Sequence, residues 1–287
     1  MPGTPTAPPR RMTQRDAAQA AGEPVIKLGR LEPTFKPPRI VLTAVEGWGK
    51  TSCAAFAPEP AILMAKGETG YETLLGSGLV PCVLTAEVPG WRGLLALLDS
   101  MAAQPTLEIK TLALDALGGF ERLCHEHVCN RDFEGNWGEK GFAGYQRGFD
   151  LAVTDWLRLL QRLDRLRDRG VTVLLLSHVQ IRPFKNPLAE DYDRYVADVH
   201  HKTWAVTHQW ADAVLFGQFV AVINKDRPTD KKGKGIGRTE RILCCERRDA
   251  YDAKNRYGMP AEIDIPDDPS RTWPTIWEAL TKTKEGR

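Results

Sequence analysis

A short stretch of the chain carries the residue types of a phosphate-binding loop. It reads AVEGWGKTS at residues 44–52 and follows the apolar run IVL at residues 40–42. Glycines allow backbone N–H groups to close around phosphate oxygens, and the dipole of a following helix favours their negative charge. At this spacing Lys50 reaches the β- and γ-phosphates of a nucleotide, and the hydroxyl of Thr51 binds Mg²⁺. The residues predicted to bind the nucleotide in this loop are Glu46, Gly47, Trp48, Gly49, Lys50, Thr51 and Ser52.

One position of the loop departs from the usual pattern. The pattern has a glycine six residues before the lysine, and this chain has Ala44 there. Alanine adopts a positive φ poorly, so Ala44 puts the rate of ATP turnover in question more than nucleotide binding. The alternative is a surface turn that contains Gly-Lys-Thr by chance. The apolar run before the loop and the helix-forming residues after it favour a nucleotide site.

Two polar side chains follow apolar runs at the ends of predicted strands. Asp115 ends the run LALD, and His178 follows the run VTVLLLS at residues 171–177. Open α/β sheets bind their ligands at the carboxyl ends of the strands, so we expect both residues near the phosphates. Asp115 then has the position of a second Mg²⁺ ligand, and His178 that of a γ-phosphate sensor or a residue that positions water. The alternatives are a helix cap for Asp115 and a hydrogen-bonded histidine at the sheet edge.

The order of the predicted elements indicates an α/β fold. Strands alternate with helices in the first part of the chain, which implies a mainly parallel central sheet flanked by helices. After about residue 210 the strand-like runs follow one another closely, which favours an antiparallel extension at one edge of the sheet. We expect residues 1–36 to form a disordered tail and residues 37–287 to form one domain.

Two segments of this domain are candidates for contact with DNA. Residues 182–197 mix proline, aromatic residues and both charge signs, which predicts a mobile loop, and the candidate region extends to residue 203. Residues 224–248 predict a hairpin with a basic tip, for which a solvated loop is the alternative. The basic residues of this segment are Lys225, Arg227, Lys231, Lys232, Lys234, Arg238, Arg241, Arg247 and Arg248.

Composition excludes several classes of protein. A net charge of +2 and a pI near 8.2 are too mild to indicate nucleic-acid binding from the total charge. The six cysteines have no disulfide spacing, and no signal peptide or membrane-spanning run is evident, which indicates a reducing, cytoplasmic compartment. The run CHEHVC at residues 124–129 offers metal ligands, but on one helix they point in several directions. We therefore expect ordinary helix residues there.

These motifs, taken in order, resemble those of the RecA-like P-loop ATP-binding proteins of phages and prophages. That AAA-type group includes single-strand-annealing recombination ATPases. The resemblance covers about residues 36–265, and the ordered set of motifs is more specific than the first motif alone. The motifs are VEGWGKTS at residues 45–52, KGETG at 66–70, LALDAL at 112–117, LLLSH at 174–178 and AKNRYG at 253–258.

The resemblance implies roles for three further residues. Glu68 matches the acid that activates water, and Lys254 and Arg256 match a basic pair that reaches the nucleotide of a neighbouring subunit. It also implies ATP and Mg²⁺ as cofactors, a homo-oligomer in the form of a ring or filament, and ATP hydrolysis coupled to single-stranded DNA in recombination or annealing. A phage recombination protein or a single-strand-binding protein is a further expected partner, and the bacterial cytoplasm is the expected location.

Two other functions stay open at this point. Ala44 favours a nucleotide-binding assembly switch with negligible hydrolysis. A different P-loop class, such as a helicase loader or a small-molecule kinase, is the second. A kinase needs a substrate pocket with a lid, for which residues 182–197 are the candidate. Stimulation of hydrolysis by DNA argues against a kinase, and phosphate transfer to a metabolite argues for one.

Overall fold

The computed structural model describes residues 28–30, 32, 34–186, 190–224 and 234–282. For two strand ends, at residues 221–224 and 234–239, the backbone alone is described. The chain divides into the units Met1–Phe35 and Lys36–Arg287, and every helix and strand named below belongs to the second unit. Most of the predicted tail at residues 1–36 lies outside the described residues.

Strands and helices alternate through much of this unit. The strands are β1 (Arg39–Ala44), β2 (Pro60–Ala65), β3 (Leu84–Val88), β4 (Thr111–Asp115), β5 (Thr172–Ser177), β6 (Val179–Phe184), β7 (Tyr192–Ala197), β8 (Ala213–Asn224), β9 (Lys234–Cys244), β10 (Lys254–Asn255) and β11 (Glu262–Ile265). The α-helices are α1 (Lys50–Ala55), α2 (Gly70–Gly76), α3 (Trp91–Ala103), α4 (Leu117–Phe133), α5 (Arg147–Asp168), α6 (His201–Trp210) and α7 (Thr272–Lys282).

One large sheet organises the unit, in the order β11-β9-β8-β1-β5-β4-β2-β3. The strands from β8 to β3 in this order are parallel to one another. By contrast, β9 is antiparallel to β8, β11 is antiparallel to β9, and the short β10 pairs with the start of β8. The predicted α/β fold, a mainly parallel sheet with an antiparallel edge, is therefore confirmed.

Helices cover both faces of the sheet, which explains why the central strands are continuous apolar runs. One face packs against α3, α4 and α5, and the other packs against α1 and α7. On α5 the buried residues include Trp156, Leu160 and Leu163, whose spacing is that of an amphipathic helix. None of the described helices combines the length and the apolar content that crossing a bilayer requires.

The segment predicted as a mobile loop, residues 182–197, is instead part of a hairpin formed by β6 and β7. Its strand period is hard to read from the sequence because a charged residue occupies a buried position. Arg194 is buried and donates to the carbonyl oxygen of Tyr251 at 3.2 Å. The N–H of Tyr195 donates to the carbonyl oxygen of Ala250 at 2.8 Å. Contacts that are distant in sequence therefore support a strand that local composition does not indicate.

The strands β8 and β9 form the second predicted hairpin, with limits that differ from residues 224–248. β9 ends at Cys244, so Arg247 and Arg248 follow the hairpin. Lys234 and Arg238 belong to β9, in the part for which the backbone alone is described. The predicted basic tip falls outside the described residues, together with its Lys225, Arg227, Lys231 and Lys232.

Candidate active site

The carboxyl ends of the parallel strands meet at one edge of the sheet, and a cleft of about 350 Å³ lies against it. The register places Thr43 of β1 beside Ser177 of β5, and Asp115 of β4 beside Met64 of β2. The volume lies within the usual range for small-molecule sites. The residues that line the cleft are Glu46, Gly47, Gly49, Lys50, Thr51, Ser52, Glu68, Gly70, Leu74, Asp115 and His178.

The loop between β1 and α1 has a backbone that glycine makes accessible. Gly47 and Gly49 have φ angles of 73° and 105°, in the left-handed region that residues with a side chain rarely adopt. Ala44, in contrast, is the last residue of β1, where the backbone is extended. Its methyl group therefore meets no φ restriction, which removes the reason to question turnover at this position.

Lys50 lies inside this loop with 7 % of its surface exposed. Its Nζ donates to the carbonyl oxygens of Ala44 at 3.0 Å and Val45 at 3.4 Å. Burial lowers the pKa of this amine, and the negative charge of Asp115 acts in the opposite direction. A buried ammonium group whose hydrogen bonds go to neutral carbonyls is suited to bind an anion, because a phosphate oxygen supplies the opposite charge.

Thr51 and Asp115 are in direct contact. The hydroxyl of Thr51 donates to Oδ2 of Asp115 at 2.7 Å, and Asp115 is 3 % exposed. Burial raises the pKa of this carboxyl, and the hydrogen bond from Thr51 lowers it. Mg²⁺ in phosphate-binding sites takes hydroxyl and carboxylate oxygens together with phosphate oxygens. The paired oxygens of these two residues therefore fit the predicted Mg²⁺ site.

Glu68 and His178 lie beside this pair. A Cβ atom added to Gly70 would lie 3.4 Å from Oε1 of Glu68 and 3.7 Å from Oγ1 of Thr51, so the carboxylate and the hydroxyl face the same point. After burial and the hydrogen bond from Thr51, the next influences on the pKa of Asp115 are Glu68, which raises it, and His178, which lowers it. The cleft thus holds an acid that can orient water and an imidazole near the two predicted Mg²⁺ ligands.

The side chain of Trp48 does not line the cleft, which corrects its prediction as a nucleotide contact. The indole is fully buried and packs against the backbone of Gly217 in β8. Its Nε1 donates to the carbonyl oxygen of Ile242 at 3.2 Å. A large apolar side chain gains more from burial in the core than from exposure beside charged phosphates. Trp48 therefore anchors the loop to β8 and β9.

Arg241, which the sequence pattern places in the basic hairpin, is a second residue of this anchor. It is 8 % exposed, and its Nη1 donates to the carbonyl oxygen of Trp48 at 2.9 Å. One signal in the sequence distinguishes it from the other basic residues. Arg241 opens the strand-like run Arg-Ile-Leu, whereas the glycines of the segment lie nearer its centre.

Lys254 and Arg256 lie at the amino ends of the parallel strands, opposite to the cleft, because β10 pairs with the first residues of β8. The Nζ of Lys254 donates to the carbonyl oxygens of His208 at 2.7 Å and Gln209 at 3.0 Å, at the end of α6. Arg256 forms an ion pair with Asp212 at 3.4 Å. The structure therefore does not bring these two residues to the cleft of their own chain, and their role towards a second subunit stays a prediction.

The cysteine- and histidine-rich run lies on α4. Cys124 and Cys129 are buried in the core. His125 packs against Phe142 and Phe149, with ring centroids 5.4 and 5.3 Å away. In the part of the chain that the structure describes, no three His, Cys, Asp or Glu side chains converge in the manner of metal ligands. The buried members of the run pack α4 against its neighbours.

A protein-family model described as an AAA domain matches residues 36–257 of the chain. The match begins before β1, ends after β10 and includes every residue that lines the cleft. No curated protein matches the chain significantly.

Proposed function

This chain belongs to the AAA domain family of nucleotide-binding ATPases, and we propose that it hydrolyses ATP with Mg²⁺ while acting on single-stranded DNA in recombination or annealing. The observation that carries the proposal is the convergence of three sequence segments on one cleft. The phosphate loop with Lys50, the acid Asp115 and the turn with Glu68 all line it. A family match alone supports nucleotide binding, whereas this set of side chains also supports hydrolysis.

The residues that would hold the cofactors follow from their chemistry. The N–H groups of the loop and Nζ of Lys50 suit the β- and γ-phosphates of ATP. Oγ1 of Thr51 and Oδ2 of Asp115, which already lie 2.7 Å apart, suit Mg²⁺. When bound, Mg²⁺·ATP supplies a γ-phosphoryl group whose charge is partly neutralised by the metal.

The hydrolytic role falls to Glu68 and His178. The carboxylate of Glu68 orients the attacking water and accepts its proton at Oε1, the oxygen that lies near Gly70 and Thr51. His178 directly follows β5 and lines the same cleft, where it would contact the γ-phosphate or the water. This assignment makes Glu68 a catalytic residue and His178 the residue that senses the state of the nucleotide.

The positions of two hairpins support a role on DNA. In β8, Gly217 pairs with Ala44 at the end of β1, so the remainder of β8 and its partner β9 extend beyond the edge that carries the cleft. Four basic and two acidic residues of the sequence lie between these strands, and their net positive charge suits a phosphate backbone. The β6–β7 hairpin begins at Val179, directly after His178. Both hairpins thus start beside groups that would contact the nucleotide.

A charge-removal experiment tests the DNA contact. Replacing Lys231, Lys232 and Lys234 by alanine should weaken binding of single-stranded DNA. It should also reduce the salt dependence of binding, because a protein that contacts fewer phosphates releases fewer counterions when it binds. The matched control removes three positive charges near the opposite edge, by alanine at Lys36, Lys110 and Arg165. DNA affinity and salt slope that are equal in the two triple variants would contradict a DNA contact at this hairpin.

We also propose a homo-oligomer, a ring or filament, in which Lys254 and Arg256 act on the nucleotide of the next subunit. Their place at the edge opposite the cleft suits a head-to-tail arrangement of subunits. Arg256→Ala should lower hydrolysis and spare ATP binding. Mixing this variant with Lys50→Ala should restore turnover, because the second variant supplies an intact arginine to a complete cleft. Absence of any restoration in mixed assemblies would argue against the contact between subunits.

Two of the alternatives, the assembly switch and the kinase, lose the observation that favoured them, whereas a helicase loader stays open. The extended backbone at Ala44 removes the reason to expect an assembly switch without turnover. The lid expected of a kinase, residues 182–197, belongs largely to a paired hairpin. The resemblance of the ordered motifs further supports a phage or prophage origin, the bacterial cytoplasm as location, and a recombination or single-strand-binding protein as partner. Tight ATP binding without hydrolysis, with or without DNA, would restore the assembly switch.

A further inference from the structure

Arg241 is a buried cation next to the phosphate loop that does not line the cleft. Its Nη1 donates to the carbonyl oxygen of Trp48 at 2.9 Å, and its guanidinium carbon lies 5.7 Å from the centre of the Trp48 ring. A Cβ atom added to Gly49 would lie 2.8 Å from the same Nη1. The guanidinium therefore occupies the space that any side chain at Gly49 would need.

The other contacts of Arg241 are also backbone carbonyls. Its Nη2 donates to the carbonyl oxygen of Pro266 and, at 3.3 Å, to that of Asp267, in the segment that follows β11. Among the described residues it forms no salt bridge, although the charge of Asp267 acts on it. Asp267 therefore compensates this buried charge only at a distance, and an anion bound in the nearby loop would stabilise it further.

The geometry of the peptide bond links Arg241 to the cleft. The carbonyl of Trp48 and the N–H of Gly49 belong to one peptide unit, and in a planar trans unit these two groups point in opposite directions. A hydrogen bond that holds the carbonyl towards Arg241 therefore turns the N–H away from Arg241. Gly49 itself lines the cleft, and its φ of 105° is part of the loop shape that this arrangement preserves.

We propose that Arg241 is a positioning residue for phosphate binding, which holds the Trp48 carbonyl so that the N–H of Gly49 faces the β- and γ-phosphates. Its buried positive charge also favours an anion in the loop, at a distance and without direct contact. This inference rests on the proposed binding of ATP. The β8–β9 hairpin, to which Arg241 belongs, would then support phosphate binding in addition to DNA contact.

The test compares Arg241→Met, Arg241→Lys and Arg169→Met. Arg169 is the matched control, because its guanidinium also donates to three backbone carbonyls, those of Met101, Ala102 and Pro105, yet lies outside the cleft. The dissociation constants of Mg²⁺·ATP and of pyrophosphate are measured by titration calorimetry, at a temperature where circular dichroism shows each variant to be folded.

Arg241→Met should weaken binding of both probes by about tenfold or more, the factor expected for one hydrogen bond to a charged group. Arg169→Met should lower the unfolding temperature and leave both constants unchanged. An arginine that only stabilises the fold would behave in the same way as this control, so equal constants in the wild type and Arg241→Met would overturn the proposal.

If Arg241→Met does not fold, Arg241→Lys decides the question. Its ammonium group keeps the charge but lacks the planar fork, so it should weaken pyrophosphate binding by about threefold or more, and no loss would overturn the proposal. The two levels of inference fail differently. A wild-type protein that binds no ATP refutes the proposed function, whereas a wild type that binds ATP as tightly as the Arg241 variants refutes only the role of Arg241.

Discussion

Replacing Gly217 by alanine tests whether the packing behind the phosphate loop determines turnover. A Cβ atom at this position would lie 2.4 Å from Cε2 of Trp48, about 1 Å closer than an ordinary contact of 3.4 Å. The indole is fully buried and cannot move into solvent. It must therefore shift together with its backbone, which lies between Gly47 and Gly49. Overpacking of this kind costs about 1–3 kcal/mol of stability.

The effect on turnover should exceed the effect on stability. A misplacement of about 1 Å in a site that depends on orientation can lower the rate by about 10²-fold. The assays are urea unfolding for stability and steady-state ATP hydrolysis for kcat and KM. Gly93→Ala is the control, because Gly93 lies in α3 with nothing within 4 Å of the added Cβ atom. That variant should be slightly more stable, by about 0.5–1 kcal/mol, with unchanged turnover.

A double-mutant cycle then identifies the cause. Trp48→Leu replaces the indole by a smaller side chain, so in its presence Gly217→Ala should be much less harmful, with a coupling energy of about 0.5–3 kcal/mol. Strict additivity of the two substitutions, or a Gly217→Ala variant with wild-type kcat, would refute the reasoning that the Trp48–Gly217 contact positions the loop.

Three further substitutions test other parts of the molecule. Glu68→Gln should keep Mg²⁺·ATP affinity and lower kcat by about 10²–10⁴-fold, because an amide cannot take a proton from water; wild-type turnover would exclude Glu68 as the base. Burial raises the pKa of Asp115, so its ionised form costs stability above that pKa, and Asp115→Asn should raise the unfolding temperature of the ligand-free protein. This variant should lose the thermal shift given by Mg²⁺·ATP, and retention of the shift would contradict the metal role. Burial lowers the pKa of His125 from 6.5 to about 4, so the unfolded state is protonated first and stability should fall as the pH drops through this range. For His125→Phe, urea unfolding should show a smaller fall in the free energy of unfolding with pH than for the wild type, by about 1.4 kcal/mol for each unit of the pKa shift. An equal fall in the two proteins would contradict the burial argument.

The cleft residues that could be predicted from the sequence stand at the carboxyl ends of strands. Asp115 and His178 each stand at the end of an apolar run, and parallel strands bring their carboxyl ends to one edge whatever the loops between them. Local pattern was therefore sufficient to predict that these residues lie near Lys50. The parallel sheet itself could be predicted for the same reason, because buried strands and amphipathic helices alternate clearly along the first part of the chain.

The roles of Trp48 and Arg241 could not be predicted in this way. Their contact joins residues 193 positions apart, and neither residue type indicates it. A tryptophan in a phosphate loop and an arginine in a basic segment both fit ligand contacts as well as burial. Local pattern does not indicate the β6–β7 hairpin for a related reason, since contacts of Arg194 and Tyr195 with residues 250–252 support its second strand. In each case tertiary packing overrides local composition.

Steady-state ATP hydrolysis with Mg²⁺, measured with and without single-stranded DNA, tests most directly whether the cleft is the active site of a DNA-dependent ATPase. The wild-type protein should hydrolyse ATP faster when DNA is present. Lys50→Ala should show neither basal nor stimulated turnover and should lose ATP binding, because it lacks the buried ammonium group that we propose to hold the phosphates. Wild-type turnover no higher than that of Lys50→Ala, or unchanged ATP affinity in that variant, would contradict the assignment.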